Sequence, residues 1–366
     1  GSAGWSSPAL TTAVGATASP RANGTWIPGQ GLSDPAAADH AATMIRICLI
    51  GISGFARTHY DEVTRHHALG LSQLVAATVI NQAEEVERCA HLRDIGCEIH
   101  TDHLAMLAAW KGRADLCIVP TGIHLHAPMA IAAMEAGMDA LVEKPAAATV
   151  EDVDAMRAAE ARTGRRVIMA FQSMYADETL EMKRIIGSGV LGKLKEIVSW
   201  SLWARGPEYY ARNAWAGRLQ VKGTPILDSP FNNAVAHQLH MILFLAGPTE
   251  TASATVTGVR AELFRAKPIE SCDTAGIIAS TAEGVPCRFL TTHASPAGEN
   301  VNPVIEVRGE RGTLRWDFHR TVTLTVDGRS RSWAADGQCR ERMHAAIRER
   351  LGGGSAFLAD LGHARA

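Results

Sequence analysis

An acid and a base stand side by side where an apolar run of the sequence ends. Glu143 and Lys144 follow the apolar residues 140–142 and precede Pro145. Because proline disfavours the helical conformation in the residue before it, an extended backbone is expected at Lys144. Side chains of these two types can move protons in an enzyme. The alternative is an ordinary strand end with two solvated charges.

The bulk composition limits the class of protein. The chain has 366 residues, of which 46% are hydrophobic and 20% charged, so it can form two ordinary globular domains. A net charge of -2 without a Lys/Arg-rich block argues against nucleic acid and anionic membranes as partners. The seven scattered cysteines form no C-x-x-C pair. We therefore predict a reduced, cytoplasmic protein without a metal site.

The pattern of apolar residues divides the chain into three parts. Residues 1–43 are rich in Ala, Gly, Ser, Thr and Pro and are predicted to be disordered or derived from an expression tag. Strands alternate with helices over residues 44–168, which predicts a doubly wound parallel sheet. Residues 169–366 contain longer strands of period two, which predict an α+β domain with a large open, mostly antiparallel sheet. The overall fold class is α/β. The chain end looks cut rather than capped, so we predict a truncated C-terminus.

A glycine-containing loop follows the first predicted strand and precedes a helix. In the pattern G-x-G-x-x-G/A, Gly51 takes the first position, Ser53 the second and Ala56 the third, while Gly54 and Phe55 lie between them. This context is the one in which a Rossmann domain binds the pyrophosphate of a dinucleotide. A tight strand-to-helix turn without a ligand is the alternative.

The second strand ends at Asn81, where Rossmann domains normally carry an acid for the adenosine ribose. An asparagine can bind a hydroxyl but does not repel a 2′-phosphate. Arg57 can serve such a phosphate or lie solvated on its helix. The cofactor is therefore predicted to be NAD or NADP.

A helix with clear boundary signals is predicted within residues 226–247. Ser229 is placed to cap it, Pro230 to be its first residue, and Gly247 to end it. Its polar face carries three side chains at spacings of four and three: Asn233, His237 and His240.

A second cluster of polar and aromatic residues lies within residues 203–217. Stacking rings beside planar hydrogen-bond donors suit a sugar, a cyclitol or a carboxylated ligand. The alternative is a structural loop packed over the sheet. The residues predicted to bind substrate in this segment are Arg205, Tyr210, Arg212, Asn213 and Trp215.

Together, the glycine loop and the run "PTGIHLHAPMAIAAMEAGMDALVEKP" resemble the family of glucose–fructose oxidoreductase, inositol dehydrogenase and MocA (Gfo/Idh/MocA). Three later motifs agree with it: "GSGVLGKLKEI", "LFLAG" and "IEVRGERGTLRW". The resemblance covers the chain from about residue 44 onward. It implies that Lys144 lies beside the nicotinamide and the reacting carbon, with Thr121, His126 and Glu143 in the cofactor site.

In many proteins of this family, the helix in the second domain carries an Asp, a His and an Asp at the positions of Asn233, His237 and His240. Only the first histidine is kept here. We expect Lys144 and His237 to share the proton transfer, with Asn233 orienting the substrate. Asp228 is a possible replacement acid. His240 is either a substrate ligand or a partly buried polar contact.

The resemblance thus implies an NAD(P)-dependent oxidoreductase of a sugar-like or cyclitol hydroxyl. Two alternatives are a glycosidase that retains NAD and oxidises its substrate transiently, and a non-catalytic dinucleotide sensor. The exposed face of a large sheet usually needs a partner, so a homodimer or homotetramer is expected.

Overall fold

The first of two sheets has six parallel strands in the spatial order β3-β2-β1-β4-β5-β6. The computed structural model describes residues 44–365 except 297, 319 and 336. The prediction for residues 1–43 lies outside this range. The strands of the first sheet are β1 (Ile45–Ile50), β2 (Ser72–Thr78), β3 (Glu98–His100), β4 (Leu116–Val119), β5 (Asp139–Val142) and β6 (Val167–Met169). The predicted doubly wound Rossmann sheet is confirmed.

Five helices cover this sheet. Short connections and cap residues set their ends: Thr149 accepts a hydrogen bond from the Asp152 N–H at the start of one helix, and Gly164 at φ 69° ends it. They are α1 (Ala56–Ala68), α2 (Val86–Asp94), α3 (His103–Ala109), α4 (Ile123–Glu135) and α5 (Val150–Thr163).

The second sheet has eight strands in the order β10-β11-β12-β7-β13-β14-β15-β16. Strands β12 and β7 pair in parallel, and the other neighbours pair antiparallel. The prediction of a mostly antiparallel open sheet is therefore confirmed. Its strands are β7 (Leu194–Leu202), β10 (Val256–Phe264), β11 (Thr274–Thr281), β12 (Cys287–Thr292), β13 (Val301–Gly309), β14 (Gly312–Asp317), β15 (Thr321–Val326) and β16 (Arg329–Ala334). A separate two-stranded hairpin consists of β8 (Gln220–Val221) and β9 (Thr224–Pro225).

The side chains of this sheet alternate between a buried and an exposed face. Phe289, Ile305 and Trp316 point to the buried face, where they form one core with Met241 and Leu245. The remaining helices are α6 (Asp177–Gly187), α7 (Pro207–Ala211), α8 (Ala236–Ala246), α9 (Cys339–Leu351) and α10 (Leu361–Arg365), and a 3₁₀ turn covers Gln172–Tyr175. No helix within the described ranges is long and apolar enough to cross a membrane.

The last part of the chain returns to the Rossmann core. Met343 and Ile347 on α9, and Ala359 and Leu361 beyond it, belong to the apolar cluster of the first sheet. The Met169 N–H donates to the Ala359 carbonyl at 2.9 Å. The division of the chain at residue 168 stays a prediction, but the segment from Cys339 onward packs on the first core rather than on the second.

The predicted start of the helix within residues 226–247 is wrong. Helix α8 begins at Ala236, and the residues before it form turns in which Asn233 N–H donates to the Ser229 carbonyl at 3.0 Å. The Asn233 side chain bonds Asp228 instead of pointing along a helix face. Such side-chain bonds compete with helix formation. Asn233 and His237 therefore do not share one helical face.

A buried lysine ties the end of α8 to the fold. The Lys183 ammonium donates to the carbonyls of Phe244, Gly247 and Ala252, the last two at 2.8 and 3.1 Å. Phe244 and Gly247 lie at the end of α8, where helix carbonyls lack partners from a following turn, and Ala252 lies in the loop beyond. Lys183 therefore stabilises the position of the helix that carries His237.

Replacing this lysine should destabilise the protein. In Lys183→Met the three carbonyls lose a charged donor, which lowers the free energy of unfolding by about 3 kcal/mol. Chemical denaturation measures the change. The exposed Lys195→Met is the matched control, for which the change stays within about 0.5 kcal/mol. Equal stability of the two variants would contradict this account of Lys183.

Candidate active site

The glycine loop between β1 and α1 adopts a conformation that needs glycine. Gly51 has φ 87° and Gly54 has φ 58°, both in the left-handed region. The Gly51 N–H donates to the Thr78 carbonyl at 2.9 Å, and α1 begins at Ala56. Phe55, at the N-terminal boundary of that helix, is 52% exposed. A left-handed loop that leads into a helix N-terminus fits a pyrophosphate.

Asn81 lies against this loop. Its amide nitrogen is 3.1 Å from Ser53 Oγ and donates to Glu84 Oε2 at 3.0 Å. The structure thus brings together the second strand end and the loop, as the sequence predicted. Glu84 was missed by the sequence reasoning, although its place three residues after Asn81 is a signal that could have found it. This acid contacts Asn81, which occupies the position where the fold normally places a ribose ligand.

The carboxylate of Glu143 is buried at the end of β5. Its oxygens accept from His59 Nε2 at 2.8 Å and from the Lys144 N–H at 3.1 Å, and Arg340 Nη1 lies 4.0 Å away. Burial alone would raise the pKa of Glu143, but the hydrogen bond from His59 and the neighbouring positive charges lower it to about 2. Glu143 is therefore an anion. His59 and Arg340 carry no local sequence signal and were missed.

Lys144 is the amine at the centre of this arrangement. Its Nζ donates to the Asn233 carbonyl at 2.8 Å and lies 3.4 Å from Asn233 Oδ1, and its peptide bond to Pro145 is cis. Burial lowers the pKa of Lys144, and the charges of Arg340 and Arg212 act in the same direction. A larger neutral fraction than that of a solvated lysine is what proton exchange near neutral pH requires.

Asn233 joins this amine to a buried acid. Its Nδ2 donates to Asp228 Oδ1 at 2.8 Å, while Asp228 Oδ2 accepts from the Gly217 N–H at 2.6 Å. Burial raises the pKa of Asp228. The structure therefore places Lys144, Asn233 and Asp228 in one chain of contacts.

The two histidines of α8 have different surroundings. His237 Nε2 accepts a hydrogen bond from Nε2 of Gln172 at 3.2 Å. Gln172 lies just beyond the end of β6. His240 is 6% exposed, and its ring stacks on Phe171 with 3.8 Å between centroids. Burial holds the pKa of His240 well below its usual value. The structure places His240 inside the packed region, in agreement with the alternative of a buried polar contact.

His126 braces the two loops that carry the site. Its Nδ1 lies 2.8 Å from the Pro145 carbonyl and its Nε2 lies 3.1 Å from the Thr121 carbonyl. It is buried, and burial lowers its pKa. Thr121 Oγ1 is buried without a hydrogen-bond partner among the described residues. His126 thus holds the backbone of Lys144-Pro145.

The aromatic segment reaches the same region. A Cβ at Gly122, next to Thr121, would lie 3.4 Å from Trp215 Nε1. Asn213 Oδ1 accepts from the N–H groups of Trp215 and Ala216 at 3.1 and 2.8 Å. Asn213 therefore shapes the turn that presents Trp215 beside the loop after β4.

Comparison with known proteins identifies the family. The model described as "Oxidoreductase family, NAD-binding Rossmann fold" matches residues 45–171. The model of the GFO/IDH/MocA C-terminal domain matches residues 179–315. Both models belong to one family and together match well over half of the chain.

Individual relatives agree with this assignment. Inositol 2-dehydrogenase 4 of Saccharopolyspora erythraea is 30% identical over 39% of this chain and 42% of its own length. Inositol 2-dehydrogenase 1 of the same organism is 24% identical over 78% of this chain and 77% of its own length. For the first relatives, the match spans about half of their length.

A solved structure shows the same fold. The WlbA dehydrogenase from Bordetella pertussis, in complex with NADH and UDP-GlcNAcA, matches with a TM-score of 0.71 at 23% identity. The match covers 88% of this chain and 92% of that one. With both family models, the loop geometry and the fold in agreement, the chain belongs to the Gfo/Idh/MocA family of oxidoreductases, and its first domain is an NAD-binding Rossmann fold.

Proposed function

We propose that this protein is an NAD-dependent dehydrogenase that acts on a CH–OH group of a sugar or cyclitol. The observation that carries the proposal is the half-buried Lys144, whose amine donates to Asn233 and through it contacts Asp228. The relatives named inositol 2-dehydrogenases and the neighbour with a bound sugar nucleotide support the substrate class. Asn233 and Asp228 supply the hydrogen bonds that a hydroxylated substrate needs.

Residues of the first domain would hold the cofactor. The backbone of Gly51, Ser53 and Gly54 with the start of α1 suits the pyrophosphate, and Asn81 suits the adenosine ribose. Thr121 has a free buried hydroxyl at the same sheet edge. When bound, NAD supplies hydride acceptance or donation at the reacting carbon.

Lys144 is the proposed proton acceptor. During oxidation its neutral amine takes the substrate hydroxyl proton as the carbon loses a hydride and the carbonyl forms. The Asn233 carbonyl orients the amine, and the Asp228 carboxylate stabilises the ammonium that results. His237, held by Gln172, shares this proton transfer. The same groups return the proton in the reduction.

Removing the amine tests this role. Lys144→Met should lower kcat/KM for NAD-dependent oxidation by about 10²- to 10⁴-fold, the usual effect of losing a general base. Steady-state NADH formation over a panel of sugars and cyclitols measures it, with Lys195→Met as control. Equal activity of Lys144→Met and wild type would refute the assignment. Glycoside cleavage without net NADH formation would favour the NAD-retaining glycosidase.

The pH dependence follows from the direction of the Lys144 shift. Because burial lowers this pKa, the neutral amine forms below the range of a solvated lysine. The rate of oxidation should therefore rise with pH and reach its plateau below the ordinary lysine pKa of about 10.4. In reduction the dependence is reversed.

Glu84 is proposed to favour NAD over NADP. Its carboxylate is 3.0 Å from the Asn81 amide, so a 2′-phosphate near Asn81 would meet a like charge. Glu84→Gln should reduce the preference for NADH over NADPH by about tenfold, as measured by the two dissociation constants in fluorescence titrations. The control is Glu87→Gln, an exposed change nearby. An unchanged preference in Glu84→Gln would disprove the role of its charge.

We further propose a homodimer or homotetramer built on the outer face of the eight-stranded sheet. Leu290 and Ile278 on this face are 51% and 36% exposed, and Leu290 pairs with Trp200. Leu290→Arg should dissociate the assembly because it places a charge in an apolar contact. Light scattering after size exclusion measures the mass. The control is Val259→Arg on the edge strand β10, which should keep the mass of the wild-type assembly. A monomeric wild-type protein would contradict the proposal.

A further inference from the structure

Two guanidinium groups lie beside the proposed substrate site without an acid to pair with. Arg205 lies over the rings of Trp203 and Tyr209, at 5.3 and 4.9 Å from their centroids. Arg212 lies 3.5 Å from the centroid of Tyr209 and 5.5 Å from that of Trp215. Among the described residues, neither arginine has a carboxylate partner, and Arg205 Nε is buried without any hydrogen bond.

Many arginines in the described chain pair with acids, as Arg308 does with Glu196 and Arg218 with Glu270. Arg205 and Arg212 instead lie against aromatic rings, as Arg113 does against Trp110. Arg205 is partly buried, and its guanidinium loses hydration that no described acid replaces. The rings hold both groups in place, and Arg212 Nη1 also donates to the Tyr209 carbonyl at 2.5 Å.

The two arginines belong to the same electrostatic environment as Lys144. Arg212 contributes to lowering the pKa of Lys144, and both arginines, after burial, contribute to lowering the pKa of His293 to about 3. His293 is therefore neutral and adds no charge. The acids of the site are engaged elsewhere: Glu143 accepts from His59, and Asp228 accepts from the Gly217 N–H and the Asn233 amide.

Tyr209, Tyr210, Asp228 and His293 line a space that has no room for a water molecule. These side chains therefore pack against one another rather than around a ligand. Arg212 is exposed and Arg205 is partly exposed, so solvent reaches both residues.

We propose that Arg205 and Arg212 form a subsite for an acidic group, a carboxylate or a phosphate, carried by the sugar substrate. A guanidinium fork matches the oxygens of either group with two parallel hydrogen bonds. The subsite sets which polyols are used, since the acid anchors one end of the substrate while a hydroxyl faces Lys144. This inference rests on the proposed dehydrogenase function and names its substrate class.

The test compares glucose, glucuronate and glucose 6-phosphate at matched concentrations. For wild type, kcat/KM in NADH formation should be higher for at least one acidic sugar than for glucose. Arg205→Gln and Arg212→Gln should each lower the ratio of acidic to neutral kcat/KM by about 10- to 100-fold, the usual effect of losing a charge-assisted hydrogen bond. The control Arg218→Gln, which alters an exposed pair with Glu270, should keep the wild-type ratio.

A binding measurement keeps the test independent of turnover. An acidic sugar should raise the Tm of the NADH-loaded protein more than glucose does, and Arg205→Gln should remove that difference. A response to glucuronate alone assigns a carboxylate, and a response to glucose 6-phosphate alone assigns a phosphate. Equal responses to glucose and both acids, or an acid response that survives both arginine substitutions, would overturn the subsite. Acid-specific binding without NADH formation would instead count against the dehydrogenase function.

Discussion

The site depends on one constraint: the ammonium group of Lys144 is partly removed from water where the two domains meet. Lys144 comes from the end of β5, but its Nζ is held by the Asn233 carbonyl of the second domain. Such a charge is unfavourable without partners, and the domains supply them only when they meet in this arrangement. Burial lowers the pKa of the amine, and the contact with Asn233 positions it. The position of the reacting amine therefore depends on how the two domains pack together.

The acids around this amine have different roles because their surroundings differ. Glu143 receives a hydrogen bond from His59 and lies near Arg340, so it stays an anion. Burial raises the pKa of Asp228, although the Gly217 N–H and the Asn233 amide donate to its carboxylate and act in the opposite direction. Two carboxylates near one lysine thus form a fixed charge and a more readily protonated group.

The C-terminal helix α9 connects the site to the rest of the Rossmann domain. It brings Arg340 to Glu143. His344, on the same helix, contacts the rings of His59 and His66 on α1. A segment from the end of the chain therefore supports a side chain at the end of β5. This explains why residues far apart in sequence have to fold together before Glu143 is held.

Local signals were sufficient for the parallel sheet of the first domain and for the turn at the glycine loop. Gly51 and Gly54 adopt positive φ angles that few other residues tolerate, and the alternation of strands with helices is a property of short segments. The start of α8, the burial of His240 and the contacts of Glu143 with His59 and Arg340 were not predictable in this way. Each depends on pairs of groups separated by many residues, such as Asn233 with Lys144. Backbone preferences act within a few residues and can be read from the amino-acid types, whereas burial and charge pairing exist only after distant segments have packed together.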